Sequence, residues 1–218
     1  MNINGRSEGI IDNLNEYFFH ILGCGAIGSS ASTQLARMGA ENFIIYDMDS
    51  VEVQNIGVSH YVYRDIGMKK VDALEVHLKR INPDVNIMKE VGRFTIYGKP
   101  LGEKDIVILG FDNMETRLAA VKKSLSEKSK PFAIIDGRMG AEHYQQYVFK
   151  NPTLKKYKDT WYSDADGDPE PCNAKATTYC SNMSGAFITN AIKKLVKEEE
   201  CPREFFFNFP GLTLGYKQ

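Results

Sequence analysis

The amino-acid sequence predicts an α/β protein of the Rossmann type: a mostly parallel central sheet with helices on both faces and an antiparallel C-terminal extension. The apolar run Phe18-Phe19-His20-Ile21-Leu22 is followed by helical spacing over 29–38 and by a second apolar run over 42–46. Strand, helix and strand therefore succeed one another within roughly 30 residues, which is the βαβ unit. A glycine-rich turn joins the first strand to the helix, as in sheets that bind nucleotides.

The same patterns predict the other elements in chain order. Apolar residues three and four positions apart indicate a helix over 67–80, which the Asn82-Pro83 pair ends. Short apolar runs predict strands over 85–91, 105–111 and 132–135, and alternating residues predict another over 143–149. Helical spacing recurs over 113–126 and 183–197, and the aromatic run over 205–209 predicts an edge strand.

The sequence predicts a single domain over residues 1–218. A chain of 218 residues suits one large α/β domain, and a composition that is 43% hydrophobic supports a sizeable core. Residues 151–174 are rich in Asp, Pro, Gly and Lys, with Trp161 and Tyr162 among them. Because long loops in compact domains are usually functional or disordered, we interpret residues 151–182 as a long crossover loop beside the active site.

Charge and hydropathy argue against two classes of partner. The formal net charge is -1, so no overall positive field attracts the chain to nucleic acid. No apolar run approaches the roughly 18 residues that a membrane span needs, and the first residues lack the basic-then-apolar order of a signal peptide. We therefore expect a cytoplasmic protein without nucleic-acid or membrane partners.

The four cysteines indicate thiols rather than a disulfide framework or a metal centre. Cys24, Cys172, Cys180 and Cys201 form no Cys-x-x-Cys pair. Since structural zinc sites use such pairs, the sequence predicts no zinc. Cys24 is interpreted as a small filler in the glycine turn, and Cys180, like His20, as a core residue.

The glycine turn has the pattern of a phosphate-binding loop. Gly23, Gly25 and Gly28 form Gly-x-Gly-x-x-Gly between a strand and a helix, and Asp47 follows at the end of the second strand. Glycines let the backbone approach a phosphate, and the start of a helix offers unpaired N–H groups. A carboxylate at the next strand end is placed to accept hydrogen bonds from ribose hydroxyls. The context predicts nucleotide binding rather than a turn that only packs the helix against the sheet.

Charged and polar residues follow several of the predicted strands. Asp49, Glu52, Asn55, Arg64 and Lys70 come after the second strand, and Asp112, Asn113 and Arg117 come after the fourth. Parallel strands open onto one edge of the sheet, so we expect Asp47, Asp112 and Asp136 on the side of the glycine loop. A lysine near a polyphosphate and an aspartate able to hold Mg²⁺ suit phosphoryl or nucleotidyl transfer. For Asp136 and Arg138, a structural ion pair is an equally good interpretation.

Several stretches together resemble one known family. They are Ile21-Leu22-Gly23-Cys24-Gly25-Ala26-Ile27-Gly28, Leu35-Ala36-Arg37-Met38-Gly39, Asp47-Met48-Asp49-Ser50-Val51-Glu52-Val53-Gln54-Asn55, Asp65-Ile66-Gly67-Met68-Lys69-Lys70, Ile81-Asn82-Pro83 and Asp112-Asn113-x-x-x-Arg117. In order and spacing they resemble the ThiF/MoeB/HesA family, the prokaryotic relatives of ubiquitin-activating enzymes.

The resemblance implies an activity and its partners. Members use ATP and Mg²⁺ to convert the C-terminal glycine of a ubiquitin-like or sulfur-carrier protein into an acyl-adenylate, with release of pyrophosphate. On this basis we expect a nucleotidyltransferase that acts on a small carrier ending in Gly-Gly. Because members of the family pair their subunits, we also expect a homodimer.

The resemblance also assigns site residues. The expected nucleotide-binding residues are Gly23, Gly25, Ala26, Ile27, Gly28, Asp47, Asp49, Asn55, Lys70, Asp112 and Asn113. Asp47 would take the ribose, and Asn55 and Lys70 the triphosphate, with Lys69 as the alternative to Lys70. Asp112 would position Mg²⁺ and the α-phosphate, and Asp112 and Lys70 would thus be catalytic.

Two positions depart from the family pattern or extend it. Val58 stands where the family has an arginine, so the missing charge would have to come from Arg64 or from Arg6 of a partner subunit. Cys172 follows Pro171 in a place that resembles where related enzymes keep a thiol that accepts the activated carboxylate. The alternative interpretation of Cys172 is an ordinary, partly buried cysteine.

The sequence is compatible with three functions. The first is the ATP-dependent adenylyltransferase. The second, motivated by Val58, is a relative that binds a nucleotide with weak or no turnover. The third is an NAD-dependent oxidoreductase, which the glycine loop and Asp47 also permit.

Overall fold

The computed structural model describes residues 3, 5–92, 94, 100–126, 128–166 and 176–218. Its strands are β1 (Phe18–Leu22), β2 (Asn42–Tyr46), β3 (Asn86–Glu90), β4 (Asp105–Leu109), β5 (Ala133–Gly140), β6 (His143–Lys150), β7 (Glu204–Asn208) and β8 (Thr213–Lys217). Its helices are α1 (Ala26–Arg37), α2 (Val53–Ile56), α3 (Lys70–Ile81), α4 (Met114–Ser124), α5 (Leu154–Lys158) and α6 (Thr178–Val196). Single 3-10 turns lie at Leu14–Glu16, Tyr63–Asp65 and Asp164–Asp166.

All eight strands belong to one sheet in the order β3-β2-β1-β4-β5-β6-β7-β8. Strands β1 to β5 are parallel to one another, and β6, β7 and β8 extend the sheet beyond β5 through antiparallel pairs. The order changes direction between β1 and β4, which is the point where doubly wound sheets bind their ligands. The predicted fold class is confirmed.

Helices cover both faces of the sheet because the strand side chains alternate. Ile21 and Ile45 pack into one core with residues of α1, α3 and α6, whereas their neighbours Leu22 and Ile44 pack into a second core with α4 and α5. Strands buried on both faces read as continuous apolar runs rather than as an alternation, and this explains the runs in the sequence.

Helix α6 lies directly against α1, and a glycine permits the close approach. A Cβ at Gly185 would lie 2.3 Å from Ser30 Oγ. Near the start of both helices, Ser181 Oγ donates a hydrogen bond to the carbonyl of Ala26 at 3.0 Å. The beginning of α6 is therefore next to the glycine loop.

Several elements differ from the sequence prediction. Helix α6 begins at Thr178 rather than at 183, and α5 lies inside the predicted excursion over 151–174. Strand β5 continues to Gly140 instead of ending before Asp136, because β6 pairs with it along its whole length. The aromatic strand β7 is not the edge, because β8 pairs with its outer side. Within the described residues, no helix combines the length and apolar character needed to cross a membrane.

Candidate nucleotide-binding site

The glycine loop is closely packed at two of its glycines and open at the third. A Cβ at Gly28 would lie 1.9 Å from the carbonyl oxygen of Gly23, and one at Gly23 would lie 2.8 Å from the carbonyl oxygen of Gly110. Gly23 also has a φ of +93°, which favours glycine. A Cβ at Gly25, in contrast, would have no described atom within 4 Å. The absence of a side chain at Gly23 and Gly28 permits the close packing of the loop. The space over Gly25 is available to a ligand.

The first turn of α1 presents its backbone amides to this space. Its N-cap is Gly25, and among the described residues no side chain caps the helix. The first N–H groups of a helix lack intrahelical acceptors and carry a positive partial charge. The side chain of Ile27 is buried in the core, so Ile27 and Ala26 would contribute main-chain groups to a phosphate site.

Asp47 ties the end of β2 to the loop. One carboxylate oxygen accepts the N–H of Cys24 at 2.7 Å, and the other accepts the N–H of Asp49 at 2.8 Å. A carboxylate has about four lone-pair positions, so two hydrogen bonds leave capacity for hydroxyl donors. The structure places Asp47 beside the glycine loop, as the sequence predicts.

Lys70 lies on the same side as Asp47 and is held by Asp49. Its Nζ is 2.9 Å from Asp49 Oδ2, and its side chain is 11% exposed, against 62% for Asp49. Burial disfavours the ammonium form, but the attraction of Asp47 and the hydrogen bond to Asp49 outweigh it, so the pKa of Lys70 is raised. Lys70 is consequently a partly buried cation beside the loop at neutral pH.

Lys69, the alternative to Lys70, has a different environment. It is exposed, and its Nζ donates to the carbonyl oxygen of Met48 at 2.9 Å. The isolated bridge between Ser50 and Lys69 brings the start of α3 back to the end of β2. The side chains of Lys69 and Lys70 point in different directions from this bridge. Lys70, not Lys69, contacts Asp49.

Asn55 and Asn113 are both engaged in local structure. Asn55 Oδ1 accepts the N–H of Glu52 at 2.9 Å within the capping box of α2, so its Nδ2 group is the part that can reach a ligand. Asn113 is the N-cap of α4, and its Oδ1 accepts the N–H of Thr116 at 2.8 Å. Its Nδ2 donates to Asp112 Oδ1 at 3.2 Å. Asn113 thereby orients the exposed carboxylate of Asp112.

The structure adds one carboxylate near Asp112 that sequence reasoning missed. Both oxygens of Asp164 accept the N–H of Met114 at 3.1 Å, and Trp161 Nε1 donates to the Met114 carbonyl at 2.9 Å. The residues after α5 are thus fastened to the start of α4. The sequence around Asp164 does not predict this contact, because the start of α4, to which Asp164 binds, lies 50 positions earlier in the chain.

Asp136 does not face the glycine loop, and the expectation that it does is wrong. The residue is fully buried, and its carboxylate binds Arg117 Nη1 on one oxygen and Arg138 at 2.7 and 2.9 Å on the other. Tyr157 donates to the same carboxylate at 3.1 Å. Alternation along β5 turns Asp136 toward α4 and α5, away from α1. The ion-pair interpretation is confirmed, and Arg117 belongs to this buried network.

Cys24, Cys180 and His20 are buried in the protein interior, as the sequence predicts. Cys24 is fully buried, and burial raises the pKa of its thiol well above the usual range. Burial also raises the pKa of Cys180 to about 11, so neither thiol is a ready nucleophile. His20 is 6% exposed and pairs with Asp105 at 2.7 Å. The predicted acceptor Cys172 lies outside the described residues.

Val58 lines a small cleft between α2 and the start of α6. The cleft has a volume of about 230 Å³ and is lined by Val58, Ser59, His60, Thr178, Ser181 and Asn182. These lining side chains include no arginine or lysine. Arg64 and Arg6, the two proposed substitutes, are both exposed.

Tyr61 is a further residue of the site that sequence reasoning missed. Its hydroxyl donates to the carbonyl oxygen of Cys24 at 2.6 Å and lies 3.2 Å from the carbonyl oxygen of Lys70. The side chain is 3% exposed. Nothing in the local sequence distinguishes it from an ordinary core aromatic.

Comparison with known proteins gives the following matches. Residues 2–218 match the model of the ThiF family. The ubiquitin-like modifier-activating enzyme 5 of Branchiostoma floridae is 30% identical over 132 residues, which are 52% of this chain and 32% of that protein. The enzyme of the same name from Arabidopsis thaliana is 32% identical over 132 residues, 51% of this chain and 31% of that protein. This chain spans about a third of the length of these curated relatives.

Solved structures with the same fold include MccB of E. coli, with a TM-score of 0.77, 16% identity, and coverage of 100% of this chain and 69% of that chain. E. coli MccB with ATP has a TM-score of 0.74 and 15% identity, covering 96% of this chain and 66% of that one. PaaA has a TM-score of 0.71 and 17% identity, covering 94% and 64%. At these identities, the likeness concerns the fold.

Proposed function

Because this chain belongs to the ThiF family, we propose that it is an ATP-dependent adenylyltransferase that activates the C-terminal carboxylate of a small ubiquitin-like or sulfur-carrier protein. The proposal includes a carrier ending in Gly-Gly, Mg²⁺ as the metal, no zinc, a homodimer and a cytoplasmic location. The family match favours this activity over NAD-dependent oxidation.

One observation carries the proposal: a helix start that no described side chain caps, an open glycine and a partly buried cation meet at one place. The space over Gly25 adjoins the free amides of α1, and Lys70 and Asp47 lie at its side. Amides and an ammonium group stabilise phosphate oxygens, and a carboxylate that retains acceptor capacity suits a ribose. The site therefore fits a nucleoside triphosphate from sugar to phosphates.

The chemistry needs positioning and charge stabilisation more than proton transfer. A C-terminal carboxylate has a pKa of about 3.5 and is already ionised at neutral pH. One of its oxygens attacks the α-phosphorus, the bond from that phosphorus to the bridging oxygen breaks, and pyrophosphate leaves with the electron pair. No base has to remove a proton. Lys70 and the α1 amides are suited to stabilise the negative charge that develops on the phosphates.

Asp112 and its neighbourhood fit Mg²⁺. Among the residues that the structure describes, no three acidic, His or Cys side chains cluster as a preformed metal cage. Mg²⁺ commonly uses only one or two carboxylates together with phosphate oxygens and waters. Asp112, which is exposed and oriented by Asn113, would hold the ion. The ion would neutralise phosphate charge during the displacement.

Val58 favours a second candidate, a protein that binds ATP with little turnover. The side chain is neutral where the family pattern has a cation. A missing arginine contact costs about three to five orders of magnitude in rate in phosphoryl-transfer enzymes that use one. Under the first candidate, Arg64 or Arg6 of a partner subunit supplies that charge.

The test is pyrophosphate exchange by the full chain with ATP, Mg²⁺ and a small carrier protein that ends in Gly-Gly. The matched control is the same carrier without its last two residues. Exchange that requires the intact terminus supports the adenylyltransferase. Calorimetric ATP binding without exchange, across a panel of such carriers, favours the second candidate. A thermal shift with NAD but none with ATP contradicts both.

A further inference from the structure

We propose that Tyr61 is a positioning residue for the nucleotide, which orients the peptide between Cys24 and Gly25 so that the Gly25 N–H points at the bound phosphates. This inference rests on the proposed nucleotide site. It adds to that site a residue outside the glycine loop and outside the stretches that carry the family resemblance.

The Cys24 residue is held from two directions by side chains distant in sequence. Its N–H donates to Asp47 Oδ2 at 2.7 Å, and its carbonyl oxygen accepts the Tyr61 hydroxyl at 2.6 Å. A hydroxyl has one proton to donate, and the Cys24 oxygen is nearer to it than the Lys70 oxygen at 3.2 Å. The carbonyl of Cys24 is therefore directed inward, toward Tyr61.

Because the peptide is planar, the inward direction of the Cys24 carbonyl fixes an outward direction for the Gly25 N–H. The C=O of Cys24 and the N–H of Gly25 belong to the same peptide, and in a trans peptide they point in opposite directions. The described residues contain no cis peptide bond. Among these residues, no acceptor bonds to the Gly25 N–H. The Gly25 N–H accordingly points away from Tyr61, and a Cβ at Gly25 would have no described atom within 4 Å.

The tertiary structure fixes the Tyr61 hydroxyl in this position. The preceding residue is anchored to α1, because the N–H of His60 donates to Ser29 Oγ at 3.1 Å. The Tyr61 ring packs edge-on against His77 of α3, with centroids 6.2 Å apart. The side chain thus spans from α3 to the loop and is enclosed by its neighbours, with 3% of its surface exposed.

The arrangement predicts a selective effect on the phosphates. Without the hydroxyl, the buried Cys24 carbonyl loses its partner, and a rotated peptide would present that oxygen to the phosphates instead of the Gly25 N–H. Asp47 binds the preceding peptide, through the N–H of Cys24. The ribose contact assigned to Asp47 should consequently survive the loss.

The experiment compares ATP and adenosine binding by calorimetry for the wild type, Tyr61→Phe and Tyr157→Phe. Tyr157 is the matched control, since it is 1% exposed and its hydroxyl also makes a buried hydrogen bond, on the other face of the sheet. We expect Tyr61→Phe to weaken ATP binding roughly tenfold, the effect of about one hydrogen bond to a buried group. Adenosine binding should change less than about twofold, and Tyr157→Phe should alter neither Kd.

Two calorimetric outcomes overturn the role of Tyr61: an unchanged ATP Kd in Tyr61→Phe, or an equal loss for adenosine and ATP. A wild type that does not bind ATP is a different result, since it removes the nucleotide site and the proposed function together. A second measurement uses only the wild type and is independent of how well the variant folds. In protein labelled with ¹⁵N-glycine, ATP should shift the Gly25 amide proton strongly and adenosine should not. A Gly25 amide unmoved by ATP contradicts the inference.

Discussion

Gly28 faces the carbonyl oxygen of Gly23 so closely that a Cβ at residue 28 would lie 1.9 Å from that oxygen. The first helix can sit on the end of β1 only because Gly28 has no side chain. Gly25, three residues earlier, is open. Close packing therefore requires a glycine at residue 28 but not at residue 25.

We predict that Gly28→Ala destabilises the fold and that Gly25→Ala does not. The atom that the added methyl group at position 28 would strike is backbone, so the helix must move, at about 3 kcal/mol or more, the upper part of the range for overpacking. For a chain of this size, the melting temperature should fall by roughly 6–12 °C. Gly25→Ala should keep its melting temperature within about 3 °C of the wild type and lose ATP affinity, because its Cβ occupies the proposed phosphate space. Equal melting temperatures for the two variants would contradict this explanation.

Lys70→Met should weaken ATP binding more than Lys69→Met. Lys70 is a partly buried cation beside Asp47 and Asp49, whereas Lys69 is exposed and bonds to the Met48 carbonyl. A charged contact is worth about 1.5–3 kcal/mol, which is a roughly tenfold to hundredfold loss. Calorimetry with ATP measures both variants. If Lys69→Met shows the larger loss, the assignment of the lysine is reversed.

Asp112→Asn should raise the Mg²⁺ concentration needed for half-maximal pyrophosphate exchange and lower the maximal rate at least about tenfold, since one metal ligand is lost. Glu115→Gln is the control, because Glu115 is an exposed acid in the first turn of α4 and has no assigned role. A Mg²⁺ titration of the exchange rate separates the two. An Asp112→Asn enzyme with the wild-type titration curve would exclude Asp112 as the metal ligand.

Asp136→Asn should act on stability. The change removes the buried negative charge that balances Arg117 and Arg138, and breaking such a pair costs about 3–5 kcal/mol. Chemical denaturation should show the loss, and Asp159→Asn, an exposed acid after α5, should show almost none. ATP affinity of the folded fraction should stay the same. A stable Asp136→Asn protein that does not bind ATP would contradict the structural role and indicate that Asp136 belongs to the active site.

Val58→Arg tests the departure from the family pattern. If the neutral side chain limits the rate, an arginine in the cleft between α2 and α6 should raise pyrophosphate exchange at least about tenfold, because it stabilises charge on the reacting phosphates. Val58→Met controls for side-chain length. No gain in Val58→Arg, combined with a loss in Arg64→Ala or Arg6→Ala, would show that another arginine already supplies the charge.

The features that could be predicted from the sequence are those encoded in short stretches. The apolar runs and helical spacing define most elements of the parallel sheet, and the turn at Gly23 depends on a few neighbouring residues. The errors arise where a distant segment decides. The length of β5 depends on β6, and the protected position of β7 depends on β8.

The sequence by itself determined the fold class, the place of the glycine loop and the set of polar residues after the strands, because periodicity and glycine stereochemistry act locally. Only the tertiary structure decided what these residues face. It placed Asp136 in a buried network, and it brought Lys70 to Asp49, Tyr61 to Cys24 and Asp164 to Met114. The physical reason is that hydrogen bonds and ion pairs depend on distance in space, which the order of residues along the chain does not specify.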